Sequence, residues 1–480
     1  METVHLHETC SRQRRALQPE DGSTFRMYVC GPTVYGPAHI GNFRTFILFD
    51  VLYRTLRAAG YSVKYVRNIT DVDDKTIRGA QDEGTALADF TRQWTEKFHT
   101  ECAALNLLPP DDEPAATEHI DEQIRLVETL IAKGHAYAAG DGSVYFDVSS
   151  FADYGKLSHI DTEALRTQTE TSGGGRNLAD EYERDAVADF ALWKAHKPDD
   201  GAVAWDSPWG RGRPGWHLEC SAMSMAYLGE TFDLHGGGED LCFPHHENEI
   251  AQSEGATGKP FVRHWMHAVH LLVEGRKMSK SFGNFFTAND LFDKGHPPEV
   301  VRYALLSGHY RQQLNFTFNG LDAARSALAR LEKADRRLAD AWPGGEEAWR
   351  AFVTAEPAAG DPCGRFDGAW DALREDLNTP ASLGALFKAL PSLADDAPAD
   401  ADFRGFRKLM FALGLRPWLM RKDEAEAIDA PADITALAEE RWAAKKARDF
   451  ARADALRGQL AEAGWSVLDA KDGYTLRRND

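Results

Sequence analysis

The stretch HGGGEDLCFPHHENEI, His235 to Ile250, carries three histidines, three glutamates, an aspartate and a cysteine. That mixture of imidazole, carboxylate and thiol can ligate a metal ion. On a helix, His245 and Glu249 stand about 40° apart, and His246 and Glu249 about 60° apart on the other side. Either pair can share a metal, so spacing does not choose between them. Two ligands leave a zinc site half built, because zinc takes four and favours thiolates. The plain alternative is a solvated, ion-paired helix face.

Two other stretches carry chemistry. In PAHIGN, His39 opens a helix directly after a glycine-proline loop. Free N–H groups at a helix start suit phosphate, and a histidine there can donate to an oxyanion. Alone, the pattern also fits a capped loop with a structural histidine. In EGRKMSKSFGN, Lys277 and Lys280 lie between Gly275 and Gly283. Two lysines on a mobile loop suit a pyrophosphate leaving group, where charge grows during reaction. A lone lysine pair is more often a solvated basic loop.

These residues need a scaffold. A chain of 480 residues exceeds one compact core, so several domains are expected. Six cysteines are scattered without a CxxC pair, which argues for reduced thiols. A net charge of −20 disfavours broad affinity for nucleic acid but leaves room for a local basic patch. The N-terminal residues lack the apolar core of a secretory signal, and no run approaches a membrane span. A soluble cytoplasmic protein is the expectation.

The spacing predicts a strand over Phe25 to Cys30, a helix over Ile40 to Ala59, a strand over Tyr61 to Ile69 and a helix from Val72 to about Leu87. Strand, helix, strand is the unit of a parallel sheet, whose ligands bind beyond the carboxyl ends of the strands. Residues 112–212 look like an insertion, with a hairpin around Asp141-Gly142 and a flexible loop at TSGGGRNL. The sheet pattern resumes near Trp216. ETFDLHGGGED reads as a strand running into a glycine loop. Pro244 to Gln252 reads as a helix start, with Gly255 ending the helix. After about Gly320 the pattern is helical, with EEAWRAFVTAEPAAGDPCG and DEAEAIDAPAD as linkers. AEERWAAKKARDFARADALRGQLAEAG is one long helix or two short ones. A hairpin around Asp472-Gly473 closes the chain.

Taken together, HIGN after the first strand and KMSKS after the last resemble the paired signatures of class I aminoacyl-tRNA synthetases. Within that class the chain is similar to the cysteinyl-tRNA synthetases. The likeness runs in order through YVCGPTVYGPAHIGN, NITDVDDKTI, DFALWK, RPGWHLECSAM, HGGGEDLCFPHHENEIAQS, KMSKSFGNFFT, EDLNTPASL and ARDFARADALR. It implies an α/β fold: a Rossmann-like parallel-sheet catalytic domain with an inserted connective domain, an α-helical bundle, and a small mixed α/β C-terminal domain. The expected divisions are 1–111 and 213–265 for the catalytic halves, 112–212 for the insertion and 266–320 for the KMSKS and stem-contact region. The bundle is expected over 321–424 and an anticodon-binding domain over 425–480.

The resemblance further implies activation of L-cysteine by ATP with Mg²⁺, and transfer of cysteine to tRNA(Cys) by a monomer. It implies one Zn²⁺ on Cys30, Cys220, His245 and Glu249. His246 then falls to a supporting contact or ion pair, and Cys10, Cys102, Cys242 and Cys363 to ordinary packing. His39, Asn42, Lys277 and Lys280 are the expected catalytic residues. His39, Gly41, Gly236, Gly237 and Lys280 are expected at ATP, and Thr70, Trp216, His235 and Asp240 at the amino acid. Trp216 also reads as core packing. Zinc explains how such an enzyme refuses serine: shape alone discriminates about 10–200-fold, whereas a thiolate binds zinc far better than a hydroxyl does. The insertion is therefore not expected to edit. Glu249, the only carboxylate ligand, is the candidate to loosen when substrate binds.

Two features depart from the pattern. Asn42 stands where the fuller signature ends in histidine, so a hydrogen-bond donor remains without charge. RTQTETSGGGRNLADEYERDAVADF is looser and longer than expected before DFALWK. In the tail, Arg441, Lys445, Lys446, Arg448, Arg452 and Arg457 supply positive charge for tRNA, or simply a solvated helix face. The nearest rival is a ligase that gives cysteine to an amino-sugar. A non-catalytic tRNA-binding relative and a generic adenylyl-transferring enzyme are further rivals. The tail from about 425 argues against the first, the intact loops and ligand set against the second, and the ligand set and helical tail against the third.

Overall fold

A computed structural model describes residues 1–160, 189–279, 282–420, 431–447, 449–470 and 473–478. They fall into two compact units, Met1–Met420 and Arg421–Asp480.

The first unit begins with a small antiparallel hairpin, β1 (His5–Glu8) and β2 (Gln13–Ala16). The site is built on the next three elements, β3 (Thr24–Val29), α1 (Ile40–Ala58) and β4 (Ser62–Arg67). α1 follows its apolar spacing and buries Ile40, Phe43, Ile47 and Val51. Burying each such side chain stabilises the fold by roughly 1.5–3 kcal/mol before opposing terms. The helix expected next is present but shorter, and a further helix follows it. α2 (Asp74–Glu83) stops at Gly84, which takes φ 66, and α3 (Leu87–Ala104) starts anew. A glycine accepts that left-handed geometry without the Cβ penalty, so the turn falls there.

The insertion contains α4 (Ile120–Ala132) and an antiparallel sheet of β5 (Ala136–Ala138), β6 (Val144–Phe146), β7 (Phe190–Ala195) and β8 (Gly212–Pro214). TSGGGRNL and most of the looser stretch around it lie outside the described residues. The chain then returns as a helix, α5 (Trp216–Leu228), before it rejoins the sheet as β9 (Phe232–Gly238). α5 and the next helix, α6 (Glu247–Thr257), share a core with the insertion through Leu218, Ala222, Ala251 and Ala256. β10 (Val262–Ala268) completes a parallel sheet in the order β10-β9-β3-β4.

Three expectations are corrected by the sheet and its neighbours. Gly236, Gly237 and Gly238 are not a loop after the strand; they pair with Met266, His267 and Ala268 within it. A Cβ at Gly236 would lie 2.3 Å from the Phe49 ring of α1, so core packing demands glycine there. The helix of PHHENE starts at Glu247 after an irregular turn over Cys242–His246. It passes through Gly255 and ends at Gly258, whose φ is 71.

Beyond the sheet lie β11 (Leu271–Val273), β12 (Arg276–Lys277), α7 (Ala288–Asp293), α8 (Pro298–Leu306) and β13 (Leu314–Phe316). The helical part contains α9 (Phe318–Ala341), α10 (Gly345–Thr354), α11 (Asp367–Arg374), α12 (Thr379–Ala389) and α13 (Asp400–Leu413). α10 corrects the first linker: it buries Trp349 and Val353 against the main core. The second linker lies mostly outside the described residues.

The second unit is α14 (Ala432–Lys446), α15 (Phe450–Glu462) and the antiparallel pair β14 (Trp465–Ala470) and β15 (Gly473–Arg478). The long tail pattern is thus two helices.

Candidate active site and metal centre

The carboxyl ends of β3 and β9 open beside the starts of α5 and α6. Cys30 directly follows β3, Cys220 sits on the first turns of α5, and Glu249 on the first turn of α6. All three side chains are buried, as is His245. Their donor atoms lie within 4.8 Å of one another. The two sulfurs are 3.9 Å apart, and Cys30 Sγ is 3.9 Å from Glu249 Oε1. His245 Nε2 is 3.1 Å from the same oxygen. A tetrahedron with zinc bonds of about 2.0–2.3 Å has edges of about 3.3–3.8 Å. The residues fit such an ion: two sulfurs, one nitrogen and one oxygen, all on buried side chains, converge at nearly those spacings.

The protonation pattern shows what an ion would displace. Cys220 is lowered to about 6, because the Cys30 thiol donates to it and His245 lies close. Burial and that neighbouring sulfur push Cys30 well above the usual thiol range. Burial works against the charged form of His245, yet Cys220 and Glu249 raise it to about 10. Burial works against Glu249 too, and His235 and His245 outweigh it to bring the carboxyl to about 2.

The signature loops meet in the same unit. His39 caps α1: its Nδ1 accepts from the Asn42 N–H at 3.1 Å, and Asn42 Oδ1 accepts from the His39 N–H at 3.1 Å. With Nδ1 accepting, the ring proton sits on Nε2, free to donate outward. The segment after KMSKS closes on this start. His39 bridges to Thr287, Ile40 N–H donates to Phe286 O, and the Phe285 ring meets the His39 ring edge-on at 5.3 Å. A Cβ on Gly41 would lie 3.3 Å from Met278 Cε, inside the KMSKS stretch. Lys277 is exposed at the end of β12; Lys280 lies outside the described residues.

Residues 16–326 match the family described as "tRNA synthetases class I (C) catalytic domain". A cysteine–tRNA ligase of Opitutus terrae is 56% identical over 98% of both chains. One of Rhodospirillum rubrum is 45% identical over 99% of this chain and 100% of its own. The chain belongs to the cysteine–tRNA ligase family. It is a class I aminoacyl-tRNA synthetase. Solved structures agree at the level of fold. A Mycobacterium tuberculosis methionyl-tRNA synthetase with methionyl-adenylate superposes with a TM-score of 0.55 at 16% identity, over 82% of this chain and 89% of its own. A LeuRS–tRNA–LeuAMS complex of Agrobacterium radiobacter K84 gives 0.57 at 13% identity, over 85% of both chains.

The remaining candidates of this synthetase are placed unevenly. His235 is buried and its Nε2 lies 2.9 Å from Glu249 Oε2. Trp216 is half-buried, its ring 4.4 Å from that of His245. Thr70 is buried, with its hydroxyl receiving the Asn68 amide at 3.1 Å. Asp240 is exposed, but its charge reaches both His39 and Cys30. His39 itself is lowered, chiefly by burial. Arg441 corrects the tail reading: it is only 3% exposed and offers no outward charge. Arg448 lies outside the described residues, and Arg452 pairs with Glu440.

His246, the expected supporting contact, stands against the same cluster. It is fully buried, with Nε2 3.3 Å from Cys30 Sγ. His217 and His267 escape sequence reasoning altogether. They stand behind the cluster, His217 Nδ1 2.9 Å from His245 Nδ1 and His267 Nε2 2.8 Å from His246 Nδ1. Their one signal is a histidine in each of GWHLEC and WMHAVH.

Proposed function

We propose that the chain activates L-cysteine with ATP and Mg²⁺, transfers it to the 3′ end of tRNA(Cys), and selects cysteine over serine at a zinc ion. The reading includes work as a cytoplasmic monomer. The convergence of Cys30, Cys220, His245 and Glu249 carries it. Bound there, zinc would supply a soft Lewis acid that holds a thiolate far better than a hydroxyl. The protein residues do the rest. Cys30 and Cys220 keep sulfur character at the floor of the pocket, and His217 orients His245 from behind. Glu249 divides its oxygens between His245 and His235, which leaves it the ligand best able to loosen.

ATP sits across the two signature loops in this reading. His39 Nε2–H donates to phosphate oxygens, and the free N–H groups of α1 face the same charge. Gly41 leaves room beside it, and Asn42 holds the His39 backbone in place. Lys277 and Lys280 steady the departing pyrophosphate. Adenosine lies at the carboxyl end of β9, near which Gly236 and Gly237 pair inside the sheet. Thr70, Trp216, His235 and Asp240 surround the amino acid. The chemical gain comes from positioning and charge stabilisation.

The test is charging of tRNA with labelled cysteine, serine as control, before and after chelation. Cysteine on tRNA, serine refused, and loss of cysteine activation without zinc is the expected result. Unchanged activation by thoroughly chelated protein would remove zinc from the reading. Activation without transfer to tRNA would favour an amino-sugar acceptor.

A further inference from the structure

The buried cluster contains a second set of four donors. Cys30, His235, His246 and Glu249 also lie within 4.8 Å of one another, all buried. The two sets share Cys30 and Glu249 and differ in the other pair. We propose that the chain offers a metal ion two overlapping seats, one on Cys220 and His245 and one on His235 and His246. The proposal rests on the metal reading above and goes beyond it.

The geometry of the shared carboxylate carries the argument. Glu249 turns Oε1 toward His245 at 3.1 Å and Cys30 at 3.9 Å. It turns Oε2 toward His235 at 2.9 Å. His246 Nε2 approaches Cys30 Sγ at 3.3 Å and Glu249 Oε1 at 4.0 Å. These spacings, from 2.9 to 4.0 Å, bracket the roughly 3.3–3.8 Å edges of a tetrahedral zinc site. Cys30 and Glu249 thus form a common edge, and an ion can lie on either side of it.

The outer contacts build the His246 side of the second seat. A ligating imidazole needs its other nitrogen held. His246 Nδ1 is 2.8 Å from His267 Nε2, and His267 Nδ1 is 2.8 Å from Thr9 Oγ1. With Nδ1–H of His246 donating along this chain, Nε2 presents a lone pair toward Cys30. His235 Nδ1 has no hydrogen-bond partner among the described residues, so stacking on Trp265, with ring centroids 4.8 Å apart, is what fixes its plane. The second seat has one sulfur and two nitrogens, the first two sulfurs and one nitrogen. A soft ion therefore prefers the first. The second occupies His235 and so suits a resting state without amino acid.

The two seats predict an asymmetry among ligand variants. Cys30→Ser and Glu249→Gln damage both seats and should empty the protein. Cys220→Ser and His245→Ala damage only one. They should retain about one zinc per chain, with affinity within about 100-fold of the parent. Adding His246→Ala to either should then release it, whereas His246→Ala alone should keep zinc in the first seat. Zinc per chain after gel filtration reads this directly. In cobalt-substituted Cys220→Ser, sulfur-to-cobalt absorption should fall by about half while the tetrahedral visible bands persist.

Circular dichroism checks each variant, and His245→Ala repeats the test if Cys220→Ser does not fold. If Cys220→Ser and His245→Ala are as empty as Cys30→Ser, the proposal fails. It fails too if the double variants keep zinc, because three ligands of the first seat would then suffice. A parent protein that binds no zinc would sink the metal reading itself, a result distinct from either.

Discussion

His39 and Asn42 cap one helix reciprocally, each side chain receiving the other's backbone N–H at 3.1 Å. The residue that breaks the signature is therefore a structural partner of the residue that keeps it. Asn42→Ala should cost about 0.5–2 kcal/mol, the usual loss of a helix cap, and lower the rate of ATP–pyrophosphate exchange. Asn42→Asp keeps the accepting oxygen but sets a carboxylate beside the ATP phosphates. It should retain stability and raise the ATP KM. Equal KM values for Asn42→Asp and the parent would separate Asn42 from the phosphate site.

Zinc binding should release protons. Cys30 is held well above the usual thiol range, and His245 is raised to about 10, so both carry protons at neutral pH. Cys220, at about 6, is already a thiolate. An ion on the first seat must displace two protons, so zinc affinity should rise by up to about 100-fold per pH unit between pH 6.5 and 8.5. Titration in weakly buffered solution measures the proton count. A pH-independent affinity would exclude Cys30 and His245 as ligands.

The sequence revealed β3, β4, β9, two hairpins and half of the candidate metal site, because those signals are local. The His–Glu pair is only four residues apart across the turn into α6, whereas Cys30 and Cys220 approach only through the sheet. No spacing rule joins them; the family likeness did. Gly255 misled because glycine usually stops helices. Here its missing Cβ admits His135 and Leu130, at 3.2 and 3.3 Å from where that atom would lie. The glycines of β9 misled for a similar reason, with Phe49 filling the space at Gly236 and Leu241 that at Gly237. Composition hid α10, whose buried Trp349 and Val353 appear only at helical spacing. Arg441 shows that a basic residue on a tail helix can face inward.

Asp50 should be the most sensitive polar residue of the scaffold. Its Oδ2 receives Arg54 Nε at 2.8 Å and Arg302 Nη2 at 2.5 Å, and its Oδ1 receives the Leu108 N–H at 2.8 Å. Arg302 also donates to Leu413 O and Leu105 O, so the cluster ties α1 to α8 and the end of α13. Asp50→Asn leaves two buried guanidiniums without their anion and should destabilise by about 3–5 kcal/mol. Burial opposes the Asp50 charge, yet Arg54 and Arg302 outweigh it and hold the carboxyl below its ordinary 3.8. Its stabilisation is thus complete above that value and lost as pH falls through the folded-state pKa. Urea unfolding from pH 7 to 3 should show the parent approaching the variant only at the acid end.

Glu101 should show the opposite pH dependence. It lies on α3, only 1% exposed, and neither carboxylate oxygen has a hydrogen-bond partner among the described residues. Burial raises it to about 7, Lys97 opposing and Asp290 adding to the effect. Between the ordinary 4.5 and about 7, the folded state holds a proton that the unfolded state has lost. Stability therefore falls as pH rises through this window. Glu101→Met matches the length, carries no charge and leaves no unmet polar atom. It should stabilise the protein by roughly 1–3 kcal/mol at pH 8, with the gain shrinking toward pH 5. Unfolding midpoints of parent and variant at pH 5, 6.5 and 8 measure the gap. A gap that stays constant across that range would mean Glu101 keeps its ordinary ionisation in the folded protein.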